Sequence, residues 1–324
     1  MRKLIASAFI ALLLLAGRAS AGTASAAGTS GAPFLKLGAG ARAAAMADTF
    51  TAVADDAFAA YYNPAGLARQ EKKQFGGSHS ALFQGVSYQS LVFAVPFGKA
   101  EGRERIETES NRHALALSIY YLGVGEVERR TGDSTLPVGT FDAADSAYAL
   151  SYSHAPNDRL SLGVTGKYIT QTIDTYRGSA MAADLGVMYR ANPHNEKPLN
   201  IALAVRHIGK RIGFTAAQTD PLPTTLIAGA SYAPSKAFTV AADLGKARDA
   251  SAYGSLGLEG RKSLSEGVGG AFRFGYTSAR RDNGGLAGVT AGGGLQFQKA
   301  AFDFAWIPFG TLGDAFRFSL LVKF

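Results

Sequence analysis

The 324-residue sequence contains no cysteine. Disulfides, thiolate metal sites and thiol chemistry are therefore excluded, and so is a lipoprotein anchor, which needs a lipidated N-terminal cysteine. Charge is scarce too. Asp, Glu, Lys and Arg make up 18% of the chain, against about a quarter in soluble domains. Long apolar runs are also missing. Beyond the N-terminus nothing approaches the roughly 20 residues of a membrane helix, and mean hydropathy is only +0.04. What the chain has instead is glycine (39 residues), phenylalanine (20) and tyrosine (13). That combination predicts many strands, each with one apolar and one small or polar face.

The N-terminus carries an export pattern. Arg2 and Lys3 precede an apolar stretch from Leu4 to Ala16, and Ala19-Ser20-Ala21 offers a small-x-small cleavage site, with Ala24-Ser25-Ala26 as a second choice. Residues 1–21 are read as a cleaved signal peptide. Its loss removes Arg2, Lys3 and Arg18, which lowers the formal charge from +8 to +5. The remaining basic residues are scattered through predicted loops. They therefore suit outer-membrane lipids and anionic lipopolysaccharide and argue against nucleic acid.

Residues 22–70 form an alanine-rich stretch without strand alternation. Met46, Phe50, Val53 and Ala57 recur at helical spacing and predict one or two short amphipathic helices. Asn63-Pro64-Ala65-Gly66 then reads as a turn, because proline cannot continue a helix. Asp55 and Asp56 either bind basic side chains across a lumen or are surface charges on a helix.

From residue 71 to 324 the pattern changes to period two, the strand period. Leu160, Leu162, Val164, Gly166 and Tyr168 alternate with Ser161, Gly163, Thr165 and Lys167. The second face carries glycine, alanine and serine with isolated charges at Lys167, Asp184, Asp243, Arg273, Asp303 and Arg317. A soluble sandwich would crowd its water-facing side with long charged residues. A polar, crowded lumen and an aromatic lipid face fit a transmembrane barrel instead. Alternation centres strands near Ser78, Leu91, Leu117, Ala149, Val164, Gly186, Ala204, Ala228, Ala241, Gly257, Phe272, Ala291, Phe304 and Leu320. The fold class expected is an all-β, antiparallel barrel of about fourteen strands with a small N-terminal helical plug, in a bacterial outer membrane.

Tight turns at Ala155–Asp158 and Ala233–Lys236, and a longer one at Asn192–Pro198, follow even-numbered strands and are assigned to the periplasmic side. The charged segment from Gly98 to Asn111 should lie there too, although it is long. Tyr152, Tyr189 and Tyr232 precede those three turns and form a candidate periplasmic aromatic girdle. At the C-terminus Phe316, Phe318, Leu320, Val322 and Phe324 alternate to the last residue, with Leu321 as the misfit. This is a candidate insertion signal, an edge strand able to pair with the barrel-insertion machinery.

The run Leu37-Gly38-Ala39-Gly40-Ala41-Arg42, through Asp55-Asp56 to Tyr61-Tyr62-Asn63-Pro64-Ala65-Gly66-Leu67, resembles the N-terminal segment of the PorV/PorQ family, within the superfamily of the FadL-type fatty-acid transporter. The resemblance implies a 14-stranded barrel plugged by this segment, with the Asn-Pro-Ala turn as a plug feature. Around Ala45-Met46-Ala47-Asp48 relatives usually carry glycine, and alanine here makes the stretch more helical. The resemblance also implies passive transport of hydrophobic small molecules or, alternatively, service to a type IX-like secretion system that binds exported proteins. A purely structural barrel is the third possibility. Ile212-Gly213-Phe214 and Leu312 are apolar residues in predicted outer loops.

No enzymatic constellation is present. His79, His113, His154, His194 and His207 are dispersed, no G-x-S-x-G elbow occurs, and Gly38-x-Gly40 has no βαβ unit around it. The sequence therefore assigns no catalytic residue, no metal ligand and no cofactor.

Overall fold

The computed structural model describes residues 28–98, 113–133, 135–193, 195–215 and 217–324. The export pattern, and the charged segment beyond Gly98, lie outside the described residues. The wall consists of β1 (Gln74–Ala81), β2 (Ser87–Phe97), β3 (His113–Arg129), β4 (Gly139–His154), β5 (Leu160–Ile173), β6 (Tyr176–Arg190) and β7 (Leu199–Gly209), followed by β8 (Thr225–Ser235), β9 (Phe238–Ala247), β10 (Ala252–Ser265), β11 (Val268–Thr277), β12 (Val289–Phe297), β13 (Ala300–Pro308) and β14 (Asp314–Lys323). Each strand pairs antiparallel with its neighbours in sequence, and β14 returns to β1 with Gln74 opposite Lys323 and Ala81 opposite Phe316. The barrel is closed, so no strand edge is left open. All fourteen strand centres expected from alternation fall inside observed strands.

Closure fixes what each face meets. Outward side chains include Leu117, Leu150, Leu185, Leu203, Phe272, Phe274 and Leu320, all exposed. The inward face is small or polar, and the six isolated charges named above are all buried there. No helix among the described residues is long and apolar enough to cross a membrane. One end of the barrel carries Gln74, Lys323 and the connections 155–159, 191–198, 236–237, 266–267 and 298–299. It is called the turn end. The other, the loop end, carries longer connections at 130–138, 210–224 and 278–288.

Residues 28–70 lie inside this wall. The only helices in the stretch are α1 (Ala41–Ala45), α2 (Ala59–Tyr62) and 3-10 turns at Pro33–Lys36 and Pro64–Arg69. The amphipathic helix expected through Met46, Phe50, Val53 and Ala57 is therefore corrected. None of the four is in a helix, and all are buried. Ala47 and Asp48 adopt φ of 55° and 58°, which stops α1 where its alanines suggested continuation. Helical spacing misled because the wall encloses the segment on all sides, so burial has no single face to mark.

Candidate functional site

The plug threads the lumen from the loop end to the turn end. At the loop end the Gly31 N–H donates to the Pro221 carbonyl (3.0 Å) and the Ala32 N–H to Gln171 Oε1 (3.2 Å). Lys36 pairs with Asp249 at 2.7 Å, and Arg317 Nη2 donates to the Leu37 carbonyl at 2.7 Å. Farther along, Thr290 Oγ1 accepts from the Ala47 N–H and donates to the Ala45 carbonyl, both at 3.0 Å. Asp243 accepts from the Thr51 N–H (3.2 Å) and hydroxyl (2.7 Å), and Ser231 donates to the Ala52 carbonyl at 2.8 Å. Near the turn end Arg69 donates to Ser161 and Asn200, each at 3.0 Å. The serines, threonines and isolated charges of the lumen face thus satisfy plug backbone groups that irregular structure leaves unpaired.

The Asn63-Pro64 turn is seated in the wall. The Asn63 amide donates to the Thr51 carbonyl (3.0 Å) and the Val187 carbonyl (3.3 Å), and its Oδ1 accepts from the Ala65 N–H (3.1 Å). Asn63 is fully buried and lines neither cavity described below. The turn approaches the lumen face at Gly163, where a Cβ would run into the Pro64–Ala65 peptide. Gly66 likewise lies where a Cβ would strike the Ala54 carbonyl.

Asp55 and Asp56 do neither of the two things expected of them. Both pair with Arg42 of the plug itself, Asp56 at 3.0 Å, and they stand in a turn and not on a helix. It is Arg42 that crosses to the wall, giving Nε to Glu259 Oε2 (2.8 Å) and Nη2 to Oε1 (3.0 Å). Glu259 also takes Arg273 (2.7 Å) and Arg261 (2.6 Å), and Arg273 reaches Asp303 at 2.8 Å. Burial pushes the Asp55 carboxyl up, but the charge and hydrogen bond of Arg42 outweigh it and hold the group below its ordinary value. Burial prevails at Asp56 and raises it, with Arg42 opposing. Glu259 was not singled out in the sequence. It is 217 residues from Arg42, and on the inward face of β10 it sits between Tyr253 and Arg261 with only Ser255 and Gly257 among them.

Two cavities flank the plug. The turn-end cavity, about 580 Å³, is bounded by Arg42, Asp55, Phe58, Arg261, Gln298 and Lys323, among others. The loop-end cavity, about 570 Å³, has Tyr61 and Tyr62 of the plug at its floor, with Ile227, Ile307, Leu82 and Phe309 on its sides among charged groups that include Lys36, Asp48, Asp249, Arg280 and Arg317. Arg206 lies over the Tyr61 ring at 5.0 Å. It is placed there by a bulge in β7, where His207 has φ 61° and Asp184 accepts the His207 N–H at 2.8 Å. Alternation could not reveal this, because a bulge turns two successive residues inward.

Tyr152 and Tyr189 are exposed on the outer face near the turn end, and Tyr232 is partly covered there. The Tyr152 hydroxyl meets His113 Nδ1 at 2.9 Å. On β14, Phe316, Phe318 and Leu320 are exposed outward and Val322 is partly so, and Phe324, just past the strand, is exposed. Leu321, the misfit, faces inward into the plug's apolar core beside Phe58. Ile212 is not offered to solvent: it is buried, bridged to Asp220 and packed toward Gly31, whereas Phe214 and Leu312 are exposed. Among the described residues no cluster of three metal-ligating side chains occurs.

A family model described as Type IX secretion system protein PorV matches residues 20–238. The chain belongs to the PorV family. Several solved structures share the fold of this PorV-family barrel. The CymD monoaromatic hydrocarbon channel is 13% identical with a TM-score of 0.57, over 89% of this chain and 98% of that one. The toluene transporter TodX of P. putida is 9% identical with a TM-score of 0.55, over 89% and 99%. The Ralstonia pickettii toluene transporter TbuX is 13% identical with a TM-score of 0.54, over 88% and 97%. No curated protein matches the sequence.

Proposed function

We propose that the protein is a non-enzymatic channel of a bacterial outer membrane that admits small hydrophobic molecules, with the loop end outside and the turn end in the periplasm. The loop-end cavity carries this reading. It is closed below by the plug and floored by two tyrosine rings, with Ile227, Ile307, Leu82 and Phe309 forming apolar patches between charged groups such as Lys36, Asp249 and Arg317, and its volume lies in the range of small-molecule pockets. Transfer of apolar area out of water drives entry. In this reading the outward phenylalanines and leucines meet lipid, and Tyr152, Tyr189 and Tyr232 near the turn end supply a periplasmic aromatic girdle. The fold relatives named for toluene and monoaromatic hydrocarbons support the cargo class.

A second reading, a barrel that receives exported proteins, is favoured by the PorV family match and by exposed Leu136, Val138, Leu286 and Leu312 in the loop-end connections. Mass spectrometry of the protein purified from native membranes in mild detergent separates the two. Stoichiometric hydrophobic small molecules support the channel, and co-purifying exported proteins support the second reading. Finding neither refutes the cargo assignment.

A further inference from the structure

One buried side chain of the plug stands between residues of the two cavities. Tyr62 lines the loop-end cavity and Arg42 the turn-end cavity. Phe50 touches both. Its ring meets Tyr62 edge-on at 5.3 Å between centroids, and the Arg42 guanidinium lies over it at 5.1 Å. The Tyr62 ring and the Arg42 head are therefore no more than about 10 Å apart, and what separates them is a single phenyl ring that is itself fully buried.

The backbone on either side of Phe50 is fixed to the wall. Thr290 holds Ala45 and Ala47 before it, and Asp243 and Ser231 hold Thr51 and Ala52 after it. The ring itself is held by packing and not by hydrogen bonds. Its contact on the turn-end side is Arg42, whose position is set by Asp55, Asp56 and Glu259.

We infer that Phe50 is the gate of an axial path joining the two cavities, closed while its ring stands between Tyr62 and Arg42 and opened when its ring turns aside. An aperture of one phenyl ring passes water, ions and small solutes. An apolar side chain closes a polar lumen by excluding water where it stands. This goes beyond the channel reading by stating where the path is shut.

The test is ion conductance of the full-length barrel in planar bilayers. Phe50→Ala raises conductance by about tenfold or more over the parent, and Phe50→Trp leaves it closed. Met46→Ala is the control. Met46 is equally buried in the plug but packs toward Gly257 of the wall, so M46A stays near the parent. Phe50→Cys, in a chain with no other cysteine, conducts until an aromatic maleimide refills the gap. It carries the same comparison if F50A does not insert. The gate is overturned if neither F50A nor F50C conducts more than the parent, or if M46A opens as far as they do. Conductance is read without hydrophobic cargo, so the gate and the cargo assignment can fail separately.

Discussion

Arg42 of the plug and Glu259 of the wall form a two-pronged pair, Nε to Oε2 at 2.8 Å and Nη2 to Oε1 at 3.0 Å. The carboxylate is fully buried and the guanidinium nearly so. Fork-to-fork geometry of this kind combines charge with fixed orientation. Most other plug–wall contacts are single bonds to backbone atoms, so this pair is the strongest individual tie between the two parts.

Glu259→Gln is therefore expected to loosen the plug without dissolving the wall. It leaves Arg42, Arg261 and Arg273 short of a shared anion, and breaking a buried pair on one side costs about 3–5 kcal/mol. Limited proteolysis of the folded barrel checks this. The variant should be cut between residues 28 and 70 at protease levels that spare the parent, while keeping the heat-dependent gel shift of a closed barrel.

Gly163→Val tests the seat of the Asn63-Pro64 turn. Its side chain would occupy the space of the Pro64–Ala65 peptide, and overpacking costs about 1–3 kcal/mol. Gly166→Val is the matched control, since nothing lies within contact distance of a Cβ there and the residue faces outward on the same strand. G163V should lower the unfolding midpoint and G166V should not; equal shifts would count against the seat.

The threading of the plug makes a topological prediction. Thr29 emerges beside the loop end, whereas Lys236 is exposed at the turn end. With no native cysteine, Thr29→Cys should react with a membrane-impermeant maleimide on intact cells. Lys236→Cys should react only after the outer membrane is permeabilised. The reverse pattern would invert the proposed orientation.

The lipid face can be tested at Leu117, outward on β3 and 61% exposed. Leu117→Arg, two residues above the Leu115–Tyr152 pair on the lipid side, should cost about 1–2 kcal/mol of folding free energy in lipid, between the interfacial and midplane values. A titration of refolding into vesicles reads it. An unchanged midpoint would mean that this face does not meet hydrocarbon.

The wall was legible because its rule is local. Period-two alternation follows from strand geometry, and Phe302, Phe304, Leu320 and Tyr189 point outward wherever their strands pair. The plug was legible only as a non-strand stretch, with Asn63-Pro64 as its marked turn. Its helical periodicity at Met46, Phe50, Val53 and Ala57 failed because an enclosed segment is buried all round. Leu321 looked like an error of alternation until Phe58 lay opposite it.

The sequence by itself determined the number of strands, the side each presents and the segment that stays out of the wall, since all three depend on neighbours a few residues apart. Tertiary structure alone decided which charges meet. Arg42 reaches Glu259 across 217 residues, Asp243 finds Thr51 across 192, and Phe50 comes between Tyr62 and Arg42. These pairings depend on the register of a closed barrel and on how far the plug descends within it, and no local spacing encodes either.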